Sequence, residues 1–240
     1  MALGWPIQIV MPATDGSMAA PANTKSVSID VGGPGGPGGS ADATRDGSGG
    51  GGGGFAGSTF LCNPGDIVTW SLSSSYVAAN VNRRTLVGTD EHGTVQYSYD
   101  LKGCLANCGQ EGYLNEEGTY PGFGGQNNNA DDSDVPGCSK VKHDGGRGAY
   151  AESGNSGRGA YGANFLGDGG YESGAGTPGQ PCSGATSTVP ATAGAAGSAM
   201  GPIGGGGGGG GGCRAGNHQS GAAGGVGCCR ITFWPQDHNT

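Results

Sequence analysis

The residues best placed to do chemistry in this chain are thiols, imidazoles and carboxylates between positions 90 and 145. Cys104-x3-Cys108 lies near Cys138, His92 and His143 in sequence, a set whose thiolates and imidazoles suit zinc. A second paired motif is missing, so disulfide formation is the preferred reading of these cysteines. Asp131, Asp132 and Asp134 offer oxygen ligands of the kind calcium takes, but the EF-hand spacing and its closing glutamate are absent. They read as a solvated acidic loop. Glu111, Glu116 and Glu117 have the chemistry of paired acid and base, yet no pocket can be argued around them, and they read as surface charges. Neither a Gly-x-Ser-x-Gly elbow nor a Gly-x4-Gly-Lys-Ser/Thr loop occurs. The expectation is a protein that is not an enzyme and carries no cofactor and no metal.

The full set of cysteines is Cys62, Cys104, Cys108, Cys138, Cys182, Cys213, Cys228 and Cys229. An even number in a glycine-rich chain with little core reads as a disulfide framework, with its pairing open. Adjacent Cys228 and Cys229 should face opposite sides of a strand and so meet different partners. For recognition, tyrosine and arginine supply large contact area at modest entropy cost. Gly146-Arg-Gly-Ala-Tyr150 recurs as Gly157-Arg-Gly-Ala-Tyr161, eleven residues later, and Tyr171 follows. Arg147, Tyr150, Arg158, Tyr161 and Tyr171 are therefore the recognition candidates, supported by Tyr113, Tyr120 and Phe123. The competing reading has these aromatics only capping the ends of glycine segments.

Elements must position these groups, and composition limits which elements are available. Of 240 residues, 58 are glycine and only 33% are hydrophobic, too few for one conventional core to offset the ordering entropy. Charged residues are only 12%, which argues against disorder driven by charge. The net charge of −8, with Lys and Arg scattered, excludes a nucleic-acid partner. No apolar stretch approaches the roughly 18 residues a membrane span needs. The first twelve residues lack the basic and apolar regions of a secretory signal. The expectation is either that a signal has been removed or, the preferred reading, that none was needed because the protein is assembled into a particle inside a cell.

Val27, Ile29 and Val31 alternate with polar residues, a half-buried strand. Phe55–Leu61 and Asp66–Leu72 read as two more, separated by an Asn63-Pro64-Gly65 turn. Trp5–Val10, Arg84–Val87, Thr94–Tyr99 and Cys229–Trp234 complete the strands, and no segment has a helical period. Ser17–Thr24 reads as a small-residue linker and Gln126–Asp134 as a polar loop. The fold class is mainly β with little or no helix. Residues 1–24 form an N-terminal arm in which Trp5, Ile7, Ile9 and Val10 are candidates for anchoring to a particle. Residues 25–75 and 145–234 form a glycine-rich domain, 76–144 a disulfide-held β-like insertion, and 235–240 a tail.

Between the strands lie Gly32-Gly-Pro-Gly-Gly-Pro-Gly-Gly39, the six-glycine run Gly49–Gly54 and the nine-glycine run Gly204–Gly212. An extended chain with three residues per turn has no internal hydrogen bonds, so its polar groups must be satisfied by neighbours. Only glycine lets such neighbours approach closely. The Gly-Gly-Pro period, the Cys213 stop and the strand that follows favour packed structure over a flexible spacer. Gly204–Gly212 is expected to be a central helix of this kind, packed on Gly32–Gly39 and Gly49–Gly54.

In Ser26-Val-Ser-Ile-Asp-Val-Gly-Gly33, Pro64-Gly-Asp-Ile-Val68 and Gly227-Cys-Cys-Arg-Ile-Thr-Phe233 the chain resembles the glycine-rich domain of bacteriophage tail-fibre and adhesin proteins. Receptor kinases of the anaplastic-lymphoma/leukocyte type carry a domain of similar style. The resemblance covers about residues 25–72 and 145–234. It implies packed polyglycine-II helices beside a small β-sheet, with distal loops that bind a host surface. The resulting expectation is a virion surface protein (fibre, spike or capsid-decorating component) that is oligomeric and partners other virion proteins and a host receptor or glycan. A secreted extracellular-matrix, cell-wall or filament-forming protein is the alternative.

Overall fold

A computed structural model of the chain describes residues 6–40, 47–115, 118–150, 159–160, 162–163 and 221–235. Its strands are β1 (Gln8–Val10), β2 (Gly16–Ala19), β3 (Ser26–Gly32), β4 (Phe55–Leu61), β5 (Ile67–Leu72), β6 (Tyr76–Thr89), β7 (Val95–Asn107), β8 (Tyr113–Asn115), β9 (Gly118–Tyr120), β10 (Asn129–Ala130), β11 (Val141–His143) and β12 (Cys228–Trp234). The described residues are thus mainly β, without a helix among them.

Two antiparallel sheets, ordered β1-β12-β3-β4-β11 and β10-β7-β6-β5-β2, face one another, and β8 and β9 form a separate hairpin. Alternation decides which side chains meet between the sheets. From the first sheet come Val27, Ile29, Val31, Phe60, Ile231 and Phe233, and from the second Val68, Val77, Ala79, Val81, Cys104 and Ala106. Each fully buried valine, isoleucine or phenylalanine contributes about 1.5–3 kcal/mol. The last strand, β12, inserts between β1 and β3, placing Ile231 opposite Ile29 and Arg230 opposite Asp30. The turn before β5 forms as expected: Asp66 N–H donates to Asn63 O at 3.0 Å, Asn63 N–H to Asp66 Oδ2 at 2.8 Å, and Gly65 takes φ +81°.

Three expectations change. The small residues Gly16–Ala19 are not linker but an edge strand, paired with Ile67–Trp70 of β5. The strand expected at Arg84–Val87 begins at Tyr76, because Val77, Ala79 and Val81 point into the core. The 126–134 loop is not simply solvated. Asp131 Oδ2 accepts from Gly103 N–H at 2.8 Å, and Asp134 accepts from Leu61 N–H at 2.6 Å and from the Arg83 guanidinium. Of the three aspartates only Asp132 stays in solvent, where Lys140 at 2.8 Å holds its carboxyl below the usual range.

The glycine segments fill the space beyond the strands. Gly49–Gly54 is buried along its whole length. The N–H groups of Gly33, Gly36 and Gly39 donate to the carbonyls of Gly54, Gly51 and Ser48 at 2.7–2.8 Å. Gly51 and Gly54 donate to Gln110 and Asn107, and Gly52 and Gly49 to Gly146 and Ala149, at 2.9–3.0 Å. The carbonyls of Gly49 and Gly52 accept from Gly122 and Gly125, and those of Gly50 and Gly53 from Ala160 and Ala163, at 2.8–3.1 Å. All six carbonyls of the run are therefore satisfied by other segments, and each set of bonds advances three residues at a time. This is not the two-residue alternation of a sheet ladder. A Cβ at Gly50, Gly51 or Gly53 would come within 3.0 Å of neighbouring backbone, so side chains are excluded here. The Gly204–Gly212 run lies outside the described residues.

Candidate functional site

Of the recognition candidates, Arg147 and Tyr150 are brought together. Gly148 N–H donates to Gly122 O at 2.9 Å, which fixes this stretch beside the 122–125 segment. Arg147 then projects from the glycine backbone with its guanidinium 4.4 Å from the ring centroid of Phe123 and 5.1 Å from that of Tyr150. Its Nη2 donates to Tyr150 Oη at 2.9 Å. Such cation–π contacts are worth about 0.5–1 kcal/mol at exposed sites, enough to preset an aromatic patch. Nearby in sequence, Tyr113 and Tyr120 stack across the β8–β9 hairpin with centroids 5.2 Å apart. Arg158, Tyr161 and Tyr171 lie outside the described residues.

The anchoring candidates divide. Ile7 and Ile9 are exposed, as is Met11, while Val10 packs against the core and Trp5 lies outside the described residues. The 1–24 arm is tied to the body by β1 on β12, by an Ile7 N–H to Phe233 O bond of 2.9 Å, and by β2 on β5.

One exposed apolar surface lies outside the sandwich. Val95, Tyr97 and Tyr99 do alternate, but the outer halves of β6 and β7 leave the sandwich as a two-stranded ribbon. There Leu86, Val95, Tyr97, Tyr99 and Leu101 share one solvent-exposed face. The Arg84 guanidinium sits 5.6 Å from the Tyr97 centroid. At the ribbon tip Asp90 accepts from the N–H groups of His92 and Thr94 at 3.0 and 2.8 Å, bonds to the charged carboxylate that hold its pKa below the usual value.

The cysteines depart from the expected framework. Cys62, Cys104, Cys108, Cys138, Cys228 and Cys229 are not joined in disulfides, and Cys182 and Cys213 lie outside the described residues. Strand alternation turns Cys229 into the core, opposite Val31, and Cys228 away from it. Cys104 instead directs its thiol to Ile29 O at 3.6 Å. Burial pushes the Cys62 thiol up to about 12, with Asp66 adding to the effect, and burial likewise raises Cys104 and Cys229 well above the usual thiol range. Thiolate is the reactive form. In the native protein at neutral pH, iodoacetamide should therefore label Cys138 and Cys228 first and spare Cys62, Cys104 and Cys229 until denaturant is added. Peptide mass mapping reads this directly, and native labelling of all five at one rate would contradict it.

Among the described residues, no three His, Cys, Asp or Glu side chains gather as a metal group, so His92, His143 and the Cys104/Cys108/Cys138 set are not brought together. Glu111 is exposed, and Glu116 and Glu117 lie outside the described residues. A cavity of about 820 Å³ lies between the N-terminal arm and two glycine segments, with Met11, Pro34, Pro37, Leu72, Val77 and Val226 among its walls. Its lining is mostly apolar, with Ser73, Ser74, Cys228 and Cys229 among it. No protein-family model matches the chain, and comparison with curated proteins finds no match.

Proposed function

We propose that the chain is a non-enzymatic surface protein of a virus particle, serving assembly and host attachment on a scaffold of packed polyglycine-II helices. The supporting observation is the three-residue hydrogen-bond period around Gly49–Gly54. Three residues per turn is the geometry of this helix, which satisfies its backbone only through neighbours. Glycine used in this way makes a stiff body, and the exposed groups it carries are contact surfaces: the N-terminal strip, the ribbon and the Arg147 patch. The N-terminal strip docks on the particle, and the far surfaces meet the host.

The test is the double substitution Ile7→Asp with Met11→Asp. Both side chains are exposed, so melting should shift by no more than about 0.5 kcal/mol of stability per site. The protein should then fold but be lost from purified particles of the encoding virus. Undiminished incorporation of the double variant would refute the docking role.

A further inference from the structure

The outer face of the first sheet carries a second set of convergent groups. Ser28 and Asp30 of β3, Thr59 of β4, and Arg230, Thr232 and Trp234 of β12 line a cup of about 320 Å³. This volume is at the small end of ligand pockets, which run roughly 300–1,000 Å³. Register places the groups together, with Asp30 opposite both Arg230 and Gly57, and Ser28 opposite both Thr232 and Thr59. Arg230 donates to Asp30 Oδ2 from Nε at 3.1 Å and from Nη2 at 2.7 Å. The pair is largely buried, its side chains 18% and 13% exposed. Burial pushes the Asp30 carboxyl up while Arg230 opposes the rise. Asp30 Oδ1 lies over Gly57, where a Cβ would approach it to 2.7 Å, so glycine keeps this part of the floor clear. Ser28 and Thr59 hydroxyls are 2.9 Å apart, and the Trp234 indole N–H donates to Ser28 Oγ at 2.9 Å.

We infer that this cup binds a neutral pyranose sugar. The Arg230–Asp30 pair carries no net charge, so an acidic or basic ligand gains nothing there. A carboxylate oxygen and three hydroxyls offer acceptors and rotatable donors, which match sugar hydroxyls that both donate and accept. Trp234 lines the cup with its indole, whose N–H is fixed on Ser28 Oγ, and adds aromatic surface of the kind that packs on a pyranose ring. Exposed Ile9 adds an apolar rim. The ligand class gains its biological sense from the attachment reading above and would identify the host component as a glycan.

Saturation-transfer NMR on the full chain with methyl α-glucopyranoside, methyl α-galactopyranoside and methyl α-mannopyranoside is the test. At least one should receive saturation, with Kd in the millimolar range typical of a single small polar ligand, about 1–20 mM. Trp234→Ala should weaken it at least about tenfold. Because that variant removes a large half-buried ring, Thr59→Val serves as the second. It keeps the side-chain shape, should leave the melting curve close to that of the parent, and should weaken binding about fivefold. No transfer from any of the three sugars at about 50 mM, or transfer unchanged in both variants, overturns the sugar site. Either result leaves the particle-incorporation test to stand or fall separately, since Ile7 and Met11 do not line this cup.

Discussion

Replacing Gly51 with alanine will lower stability by more than about 3 kcal/mol, the upper end of the cost of overpacking. Gly51 is one of the two central residues of the buried Gly49–Gly54 run, and its missing Cβ faces the carbonyl of Phe123 and the amide of Gly124. Backbone cannot rotate aside as a side chain can, so the segments themselves must separate. Separation strains two bonds, Gly51 N–H to Gln110 O at 2.9 Å and Gly36 N–H to Gly51 O at 2.8 Å. Each buried group left unpaired costs about 1–3 kcal/mol more. Gly88→Ala is the control: nothing lies within 4 Å of a Cβ there, and its change should stay within about 0.5 kcal/mol. Urea unfolding of the two variants compares them directly. Equal stabilities would mean that the glycine run tolerates side chains as a spacer does.

Asn128→Leu should cost about 3–5 kcal/mol, read as a lowered unfolding midpoint, by orphaning several buried polar groups at once. Its Oδ1 accepts from Asn107 N–H at 2.9 Å, and its Nδ2 donates to Gly125 O and His143 O at 2.9 Å and to Asp144 Oδ1 at 3.0 Å. Leucine keeps the branched outline and none of these bonds. The position matters because Asn107 ends β7 and its carbonyl accepts from Gly54. Asn128 thus joins a core strand, the end of β11 and two glycine segments. Asn128→Asp keeps the acceptor but sets a buried carboxylate oxygen against Gly125 O, His143 O and Asp144 Oδ1, so at neutral pH it should cost at least as much as leucine.

Where large apolar side chains alternate, the sequence was legible: Val27/Ile29/Val31, Phe55–Leu61 and Ile231/Phe233 form strands close to their expected limits. The Gly-Gly-Pro period was legible too, since a three-residue spacing is written directly in Gly33, Gly36 and Gly39, each a donor to the next segment. What escaped was built from small residues. Ala79, Cys104 and Ala106 are core positions, yet their side chains give little hydrophobic signal, so the inner halves of β6 and β7 passed as insertion. Asn128, Asp131 and Asp134 look like solvent-loving loop residues, and only long-range placement turns them into braces. The cup on the first sheet was hidden for the same reason. Asp30 and Arg230 are 200 positions apart and meet only because β12 returns to β3. Alternation at Val95, Tyr97 and Tyr99 announces a strand but not what covers it, and in the ribbon that face stays exposed.

Native-state amide exchange across Gly49–Gly54 tests the central claim, that glycine here is packed structure and not spacer. The amides of Gly49, Gly51, Gly52 and Gly54 all donate to other segments. They should exchange as slowly as those of Ile29 and Ile231 in the strand core, through opening that approaches global unfolding. Exchange at the rate of an unstructured glycine peptide, while β3 and β12 stay protected, would contradict the account.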